Sequence, residues 1–332
     1  MKRITKRLII DTLLVAMLTA FCATSIAEPQ NIVLEPTLQA IQSPTQLPSL
    51  TATVYLPTVE QATAMFGLDG GVKEDHAASL RVSIGEDVLN YFPHESIYYR
   101  RMIISDMVEL LSFDLPYPGM FDGAWLSDGA REAAFMSRGD AHKLVTDMLS
   151  QFGLSGWETD IKLYYIDMDD WRRQIENTRE YMAKSIDIDN CKNVYYAIIR
   201  LGHEGVVLDN SDYELLNHRT VVANSIAMLI DEDGLLHANI RFCYGIEDIS
   251  EPKPLIGYNE AVDILDDYYG DLYMSHQINV STVEFVYCPY PISQTEYEMV
   301  PTWKFGIRGF ASGADYIREY VRIDATTGRI LE

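Results

Sequence analysis

The chain has 332 residues, 48% of them hydrophobic and 23% charged, which is enough apolar material for substantial cores in about two to three domains. Asp and Glu number 49 against 26 Lys and Arg, a formal net charge of −23. A field of that sign repels phosphate backbones and anionic lipid, so nucleic acid and anionic membrane surfaces are disfavoured as partners.

The first residues carry an address. Lys2, Arg3, Lys6 and Arg7 form a basic head, Leu13 to Ala23 is almost wholly apolar, and Ser25-Ile26-Ala27 supplies the small residues of a cleavage site. This is the pattern of a secretory signal peptide over residues 1–27. The run falls short of the roughly 20 residues that span a bilayer, and Asp11 interrupts its start. Cys22 would be the acceptor of a lipid anchor, but the bulky Phe21 before it suits that processing poorly, so free secretion is expected. Cleavage would leave a charge of −26. The acids are expected to keep an exported protein soluble, with a cationic partner, Ca²⁺ or a polyanionic wall left open. Cys191, Cys243 and Cys288 remain, an odd number without CxxC or metal spacing. They read as buried free thiols, with room for one disulfide.

Residues 28–52 hold Pro29, Pro36, Pro44 and Pro48 among Gln, Ser and Thr and read as a linker. Thr58 and Gln61 make a capping box that opens a short helix with Val59, Ala62 and Phe66 inward and Gly67 as its stop. Strands are expected at 79–84 and 88–92, around Gly85-Glu86-Asp87, and at 96–104. A long helix follows, because Ala141, Leu144, Val145, Met148, Leu149 and Phe152 recur at three and four before Gly153. A strand at 160–166, a helix at 170–184 with Trp171, Ile175 and Met182, and a buried strand at 194–201 come next. Residues 225–242 read as a hairpin reversing at Asp231-Glu232-Asp233-Gly234, with Leu236, Ala238, Ile240 and Phe242 alternating against His237, Asn239 and Arg241. A third helix opens at Asn259, turns Ala261, Ile264, Leu265 and Tyr268 inward and ends at Gly270. Strands at 280–287, 302–308 and 316–323 complete the chain, each with one face on that helix and one wet, Lys304 and Arg308 on the wet side.

The C-terminal residues carry a resemblance. The Asn259 to Ala261 step, then Val300-Pro301-Thr302-Trp303-Lys304-Phe305, then Tyr320-Val321-Arg322-Ile323-Asp324-Ala325-Thr326-Thr327-Gly328-Arg329-Ile330, are similar to PepSY-like modules and to the YycH/YycI-type extracellular proteins of Gram-positive bacteria. It covers roughly residues 257–332. The segment from Gly139 to Phe242 repeats the helix-then-strands grammar loosely, and the whole resembles an uncharacterised secreted or lipoprotein-like family of clostridial bacteria. The resemblance implies an α+β chain of tandem diverged modules, each one helix packed on a small antiparallel sheet: an N-terminal α+β module at 53–135, a central PepSY-like module with a helical insertion at 136–250, and a C-terminal PepSY-like module at 251–332. It also implies protein or peptide binding in the cell envelope, with regulation of peptidases or membrane sensors, and brings no catalytic residue. Asp324, Thr327 and Gly328 match the closing motif. Their expected role is a turn, with Asp accepting local backbone donors and Gly taking a positive φ.

Chemistry has few handles. His76, His94, His142, His203, His218, His237 and His276 form no HExxH and no helical pair, and neither a nucleophile elbow nor a phosphate loop occurs. Asp167, Asp169 and Asp170, then Asp187, Asp189 and Asn190, then Asp231 to Asp233 are oxygen-rich, yet none has the Gly and Glu placement of an EF-hand loop. Helix starts and turns explain them as well. Trp303 and Tyr320, with Tyr195 and Tyr196, are candidate groove aromatics, core packing being the alternative. The expectation is an exported, monomeric, non-enzymatic envelope protein without cofactor that binds a protein or peptide. A secreted hydrolase using an acid pair and a calcium-dependent surface module are the alternatives.

Overall fold

The structure is a computed structural model and describes residues 31–35, 38, 43–93, 95–101, 105–113, 131–152, 154, 156–177, 186–210, 214–216, 219–221, 224–241, 243–271, 278–311 and 314–331. The signal peptide, Cys22, Gly153, Met182 and Phe242 lie outside these residues. The chain runs through β1 (Ile32–Leu34), β2 (Gln46–Leu47), β3 (Leu50–Tyr55), α1 (Val59–Met65), β4 (Val72–His76), β5 (Ser79–Ile84), β6 (Asp87–Phe92), β7 (Ser96–Arg100) and α2 (Ser105–Phe113). It continues with α3 (Arg138–Gln151), β8 (Glu158–Ile166), α4 (Met168–Asn177), β9 (Val194–His203), β10 (Val206–Val207), β11 (Glu214–Leu216), β12 (Arg219–Val221), β13 (Ser225–Asp231), β14 (Gly234–Arg241) and β15 (Cys243–Ile249). Last come β16 (Lys253–Pro254), α5 (Tyr258–Asp271), β17 (Ile278–Pro291), β18 (Glu296–Ala311), β19 (Ala314–Asp324) and β20 (Ile330–Leu331).

Most of these strands build two large sheets, with β11–β12 and β2–β16 as separate two-stranded ribbons, and this corrects the expected fold class. Among the described residues strand makes up 50% and helix 22%, with five α-helices, so the described part is mostly β and not a row of helix-on-small-sheet modules. One sheet has nine strands in the order β10-β9-β13-β14-β7-β6-β5-β4, with β8 also along β9. The other has seven, β1-β17-β18-β19-β20, with β3 joined to β18 and β15 joined to β3. The expected N-terminal and central modules therefore share one sheet, through β7 paired with β14. Strands from all three expected segments meet in the other, where β3 lies between β15 and the start of β18. Periodicity along one strand reports which face it buries, and carries no record of which distant strand it pairs with.

The expected linker is also corrected. β1 pairs in parallel with β17, and Asp266 of α5 accepts backbone N–H bonds from Asn31 (2.6 Å) and Ile32 (3.0 Å) through Oδ1. Leu47 and Leu50 are buried. The α5 stop expected at Gly270 is passed: the helix reaches Asp271, and a Cβ at Gly270 would lie 2.9 Å from the Asn31 amide nitrogen. The last strands run longer than expected, and Pro289, Pro291 and Pro301 are accommodated within the β17–β18 ladder.

Both faces of the nine-stranded sheet are covered at β9 and β13, which is why β9 reads as a nearly continuous apolar run. Its Tyr195, Ala197, Ile199 and Leu201 join one core with Ala141, Val145 and Leu149 of α3, Phe66, and Tyr297 and Met299 of β18. Val194, Tyr196 and Ile198 join a second core with Trp171 of α4 and Met107, Leu110 and Leu111 of α2. A third core lies between α5, through Ala261, Leu265 and Tyr269, and Trp303, Phe305, Ile307, Val321 and Ile323. The α1 start carries its capping box, with Gln61 N–H donating to the Thr58 hydroxyl and Thr58 N–H to the Gln61 side chain.

The β13–β14 hairpin contains an irregularity that decides one residue's state. The register shifts at Leu229 and Ile230, so Leu236 is squeezed out of step and packs with Leu229 in the second core, whereas Ala238 and Ile240 face the first. His237 is buried beside Tyr98, its ring Nδ1 2.6 Å from the Tyr99 carbonyl oxygen, and burial lowers its pKa to about 4. An unfolded histidine titrates near 6.5. Because the folded value is the lower one, the unfolded state binds the extra proton first: the contribution is whole above about pH 6.5 and is lost as the pH falls toward 4. Between pH 7 and 4 this amounts to about 3 kcal/mol. Urea unfolding of His237→Asn, which keeps a donor to Tyr99, should show an acid loss of stability smaller than the native protein's by about that amount.

Candidate functional site

Two features are candidates for a site: a buried charge cluster between the sheets and an open strand edge.

The cluster starts from β18 and β19. Lys304 and Arg322 stand directly opposite each other on the face away from α5, and both are almost fully buried, at 2% and 3% exposure. That face was expected to be wet. It is covered instead by the segment that leaves β10, where Leu208 bridges Tyr287 in parallel and Asp209 N–H donates to the Tyr287 carbonyl at 2.8 Å. Adjacent buried cations require an anion. Asp209 supplies it: Oδ1 accepts from Lys304 Nζ at 2.8 Å and Oδ2 from Arg322 Nε at 2.9 Å. Glu284 of β17 adds a second carboxylate 3.0 Å from Lys304, and the Tyr320 ring lies 4.2 Å beneath the ammonium. Burial opposes the Lys304 charge, but Asp209 and Glu284 outweigh it and hold its pKa above the ordinary ammonium range. The amine stays protonated, so it offers neither a nucleophile nor a base.

The expected site residues do not converge on a groove. Trp303 is fully buried in the α5 core, donating from Nε1 to the Ile256 carbonyl at 3.1 Å and packing edge-on against Phe285 and Tyr258. Tyr320 points from the opposite face toward the charge cluster. Tyr195 is buried and donates to the Met136 carbonyl at 3.1 Å; Tyr196 lies in the second core. The Asp324 to Gly328 segment forms a tight turn. Asp324 accepts from Thr326 N–H (2.7 Å) and the Thr327 hydroxyl (2.6 Å), and Gly328 sits at φ +73. Cys191, Cys243 and Cys288 are free and buried, and burial pushes the first two thiols up to about 12.

The acidic runs bond to their own turns and to cations packed against them. Asp167 accepts from the Asp169 and Asp170 N–H groups at the start of α4, where Arg131 pairs with both Asp167 and Asp170. Asp187 accepts from Asp189 N–H. Buried Asp231 accepts from Asp233 N–H in the hairpin and pairs with Arg101, with Lys192 3.5 Å away. Among the described residues no three His, Cys, Asp or Glu side chains are grouped to hold a metal ion, and no helix is long and apolar enough to cross a membrane.

The second feature is β4. Among the described strands it pairs only with β5, and Val72, Lys73, Glu74, Asp75 and His76 are all exposed, so neither of its faces joins a core. Ala77 and Ala78 form a two-residue loop that closes on the His76–Ser79 pair. In such a hairpin the closing pair exchanges both backbone bonds, and the pattern then alternates. Val72, Glu74 and His76 bond toward β5, while the N–H and C=O groups of Lys73 and Asp75 point outward. Sequence periodicity missed this strand because its Lys-Glu-Asp-His run reads as a solvated loop.

A comparison with models of protein families finds no match, and no curated protein matches the chain. Among solved structures, the crystal structure of an uncharacterized protein from Eubacterium rectale is similar to it, at a TM-score of 0.62 and 14% identity over 91% of this chain and 89% of that one. At that identity the likeness is one of fold.

Asp209→Ala removes the carboxylate that both buried cations share, and Glu284 reaches only Lys304. Urea denaturation should show a loss of about 3–5 kcal/mol, much of it regained when Lys304 and Arg322 are also made Met. Gly328→Ala forces an L residue into positive φ and brings its Cβ to 3.1 Å from Ile264 Cδ1. A cost of about 1–2 kcal/mol is expected in the same measurement.

Proposed function

We propose that this chain is an exported cell-envelope protein without catalysis of its own, and that it binds a protein or peptide partner by strand addition at β4. The observation that carries the reading is the strand itself: β4 buries nothing on either face, yet it presents outward-facing backbone donors and acceptors at Lys73 and Asp75. A strand that adds no core stabilises little, and its distinctive property is its edge. The basic head and apolar run before Ala27 support export, and the resemblance of residues 257–332 to extracellular modules supports a place in the envelope. The buried charge cluster supports a binding role over a chemical one, since its amine is locked in the charged form.

The edge gives a direct test. Lys73→Pro deletes an outward N–H while leaving the β4–β5 ladder bonds in place. An envelope protein captured by the native chain should be missing from a capture with this variant, with circular dichroism unchanged. Equal recovery by both would refute strand addition at β4, and turnover of a glycan or peptide panel that stops on a single Asp or Glu change would replace the binding reading with hydrolysis.

A further inference from the structure

We infer that the partner best matched to the β4 edge is a second copy of the same strand, forming a two-fold dimer whose nine-stranded sheets join edge to edge. This rests on the reading of β4 as a docking edge and adds the identity of its occupant.

Symmetry and charge together select one register. An incoming antiparallel strand must set its own outward-facing residues against Lys73 and Asp75, because only those positions exchange backbone bonds. When the incoming strand is β4 itself, three registers centred on the strand meet that condition. Lys73 on Lys73 and Asp75 on Asp75 each place like charges face to face, which is destabilising. Lys73 on Asp75 is the third, and by the two-fold axis the same pair occurs twice. In it every outward N–H and C=O of Lys73 and Asp75 finds a mate, and each backbone pair also carries an opposite-charge side-chain pair. Glu74 then meets its own copy on the other face. Arg81, whose Nε is 3.9 Å from the Glu74 carboxylate, lies across the hairpin on that face and offsets the repulsion. Val72, at 64% exposure the most exposed large apolar side chain among the described residues, is set against the His76 ring and loses water contact.

Among the described residues, nothing holds the edge closed. Lys73 lies 3.9 Å from Glu60, and both side chains are more than half exposed, so that pair contributes little and exchanges readily for Asp75 of the second copy. Mixed charges on an edge strand ordinarily hinder indiscriminate sheet extension. Here their order, basic then acidic at the two outward positions, makes the strand complementary to itself in the antiparallel sense, whereas an in-register parallel pairing would set like on like.

Sedimentation velocity of the full chain over a concentration series tests this. The native protein should show a concentration-dependent monomer–dimer equilibrium. Lys73→Asp and Asp75→Lys, which each set like charges opposite one another, should each raise the dissociation constant by about tenfold or more. The double exchange K73D/D75K should restore dimerisation, and Asp75→Pro should abolish it. Because β4 packs in no core, circular dichroism should be the same for all of them. A native chain that stays monomeric, a dimer indifferent to these changes, or a double exchange that fails to restore pairing would each overturn the inference. If the native chain is monomeric while Lys73→Pro still loses an envelope partner, self-pairing fails and docking at β4 stands; if both measurements are indifferent to β4, the docking reading fails with it.

Discussion

One carboxylate, Asp209, fixes where the segment after β10 meets the seven-stranded sheet. Its backbone N–H continues the bridge that Leu208 makes to Tyr287, and its side chain is shared by Lys304 and Arg322, two cations that face each other across β18 and β19. Each of the three residues is at most 4% exposed. Charges taken that far from water must be compensated within the protein, so the segment after β10 can seat in one place only. The cluster also fixes the strands: sliding β18 by one residue would drive Lys304 into the apolar core under α5 and bring Trp303 or Phe305 to the carboxylate. The ionic match thus adds a positional constraint to the apolar core in which Tyr244, Tyr297 and Met299 of one sheet pack with Tyr195, Ala197 and Ile199 of the other.

Around that joint the architecture follows from covering sheet faces. The nine-stranded sheet has α1, α3 and part of the other sheet on one side and α2 and α4 on the other, which makes β9 and β13 apolar on both faces. Beyond β5 the cover ends, and β4 emerges with no apolar residue enclosed. The seven-stranded sheet has α5 on one face and the Asp209 segment on the other, with β1 from the N-terminal side completing its border. The likeness to the Eubacterium rectale protein spans nearly the whole of both chains, in keeping with two sheets that do not divide at the expected module boundaries.

The functional reading turns on the contrast between the two polar features. In the cluster, every charge is answered inside the molecule, and the lysine that would attract attention as a catalyst is fixed as an ammonium. At β4 the polar groups that matter are backbone ones, and they face solvent. A strand addition surface needs no pocket, metal or perturbed side chain, so the usual signatures of a site are not where such a surface would be found.

Several elements were legible in the residues alone. Thr58 and Gln61 announce α1, the three-and-four spacing from Ala141 to Phe152 announces α3, and Asp231 to Gly234 announces the β13–β14 reversal, because caps, helical faces and turns involve neighbours within a few positions. The apolar alternation of Trp303, Phe305 and Ile307 marked which face of β18 lies under α5. The opposite face could not be read this way. Whether Lys304 meets water or Asp209, 95 residues away, depends on a chain crossing that leaves no local trace. The same holds for Leu50 to Tyr55 at the centre of a sheet, for the pairing of β7 with β14, and for the free edge of β4: what each residue can bury is written in its side chain, whereas what arrives to bury it is decided only when the whole chain has closed.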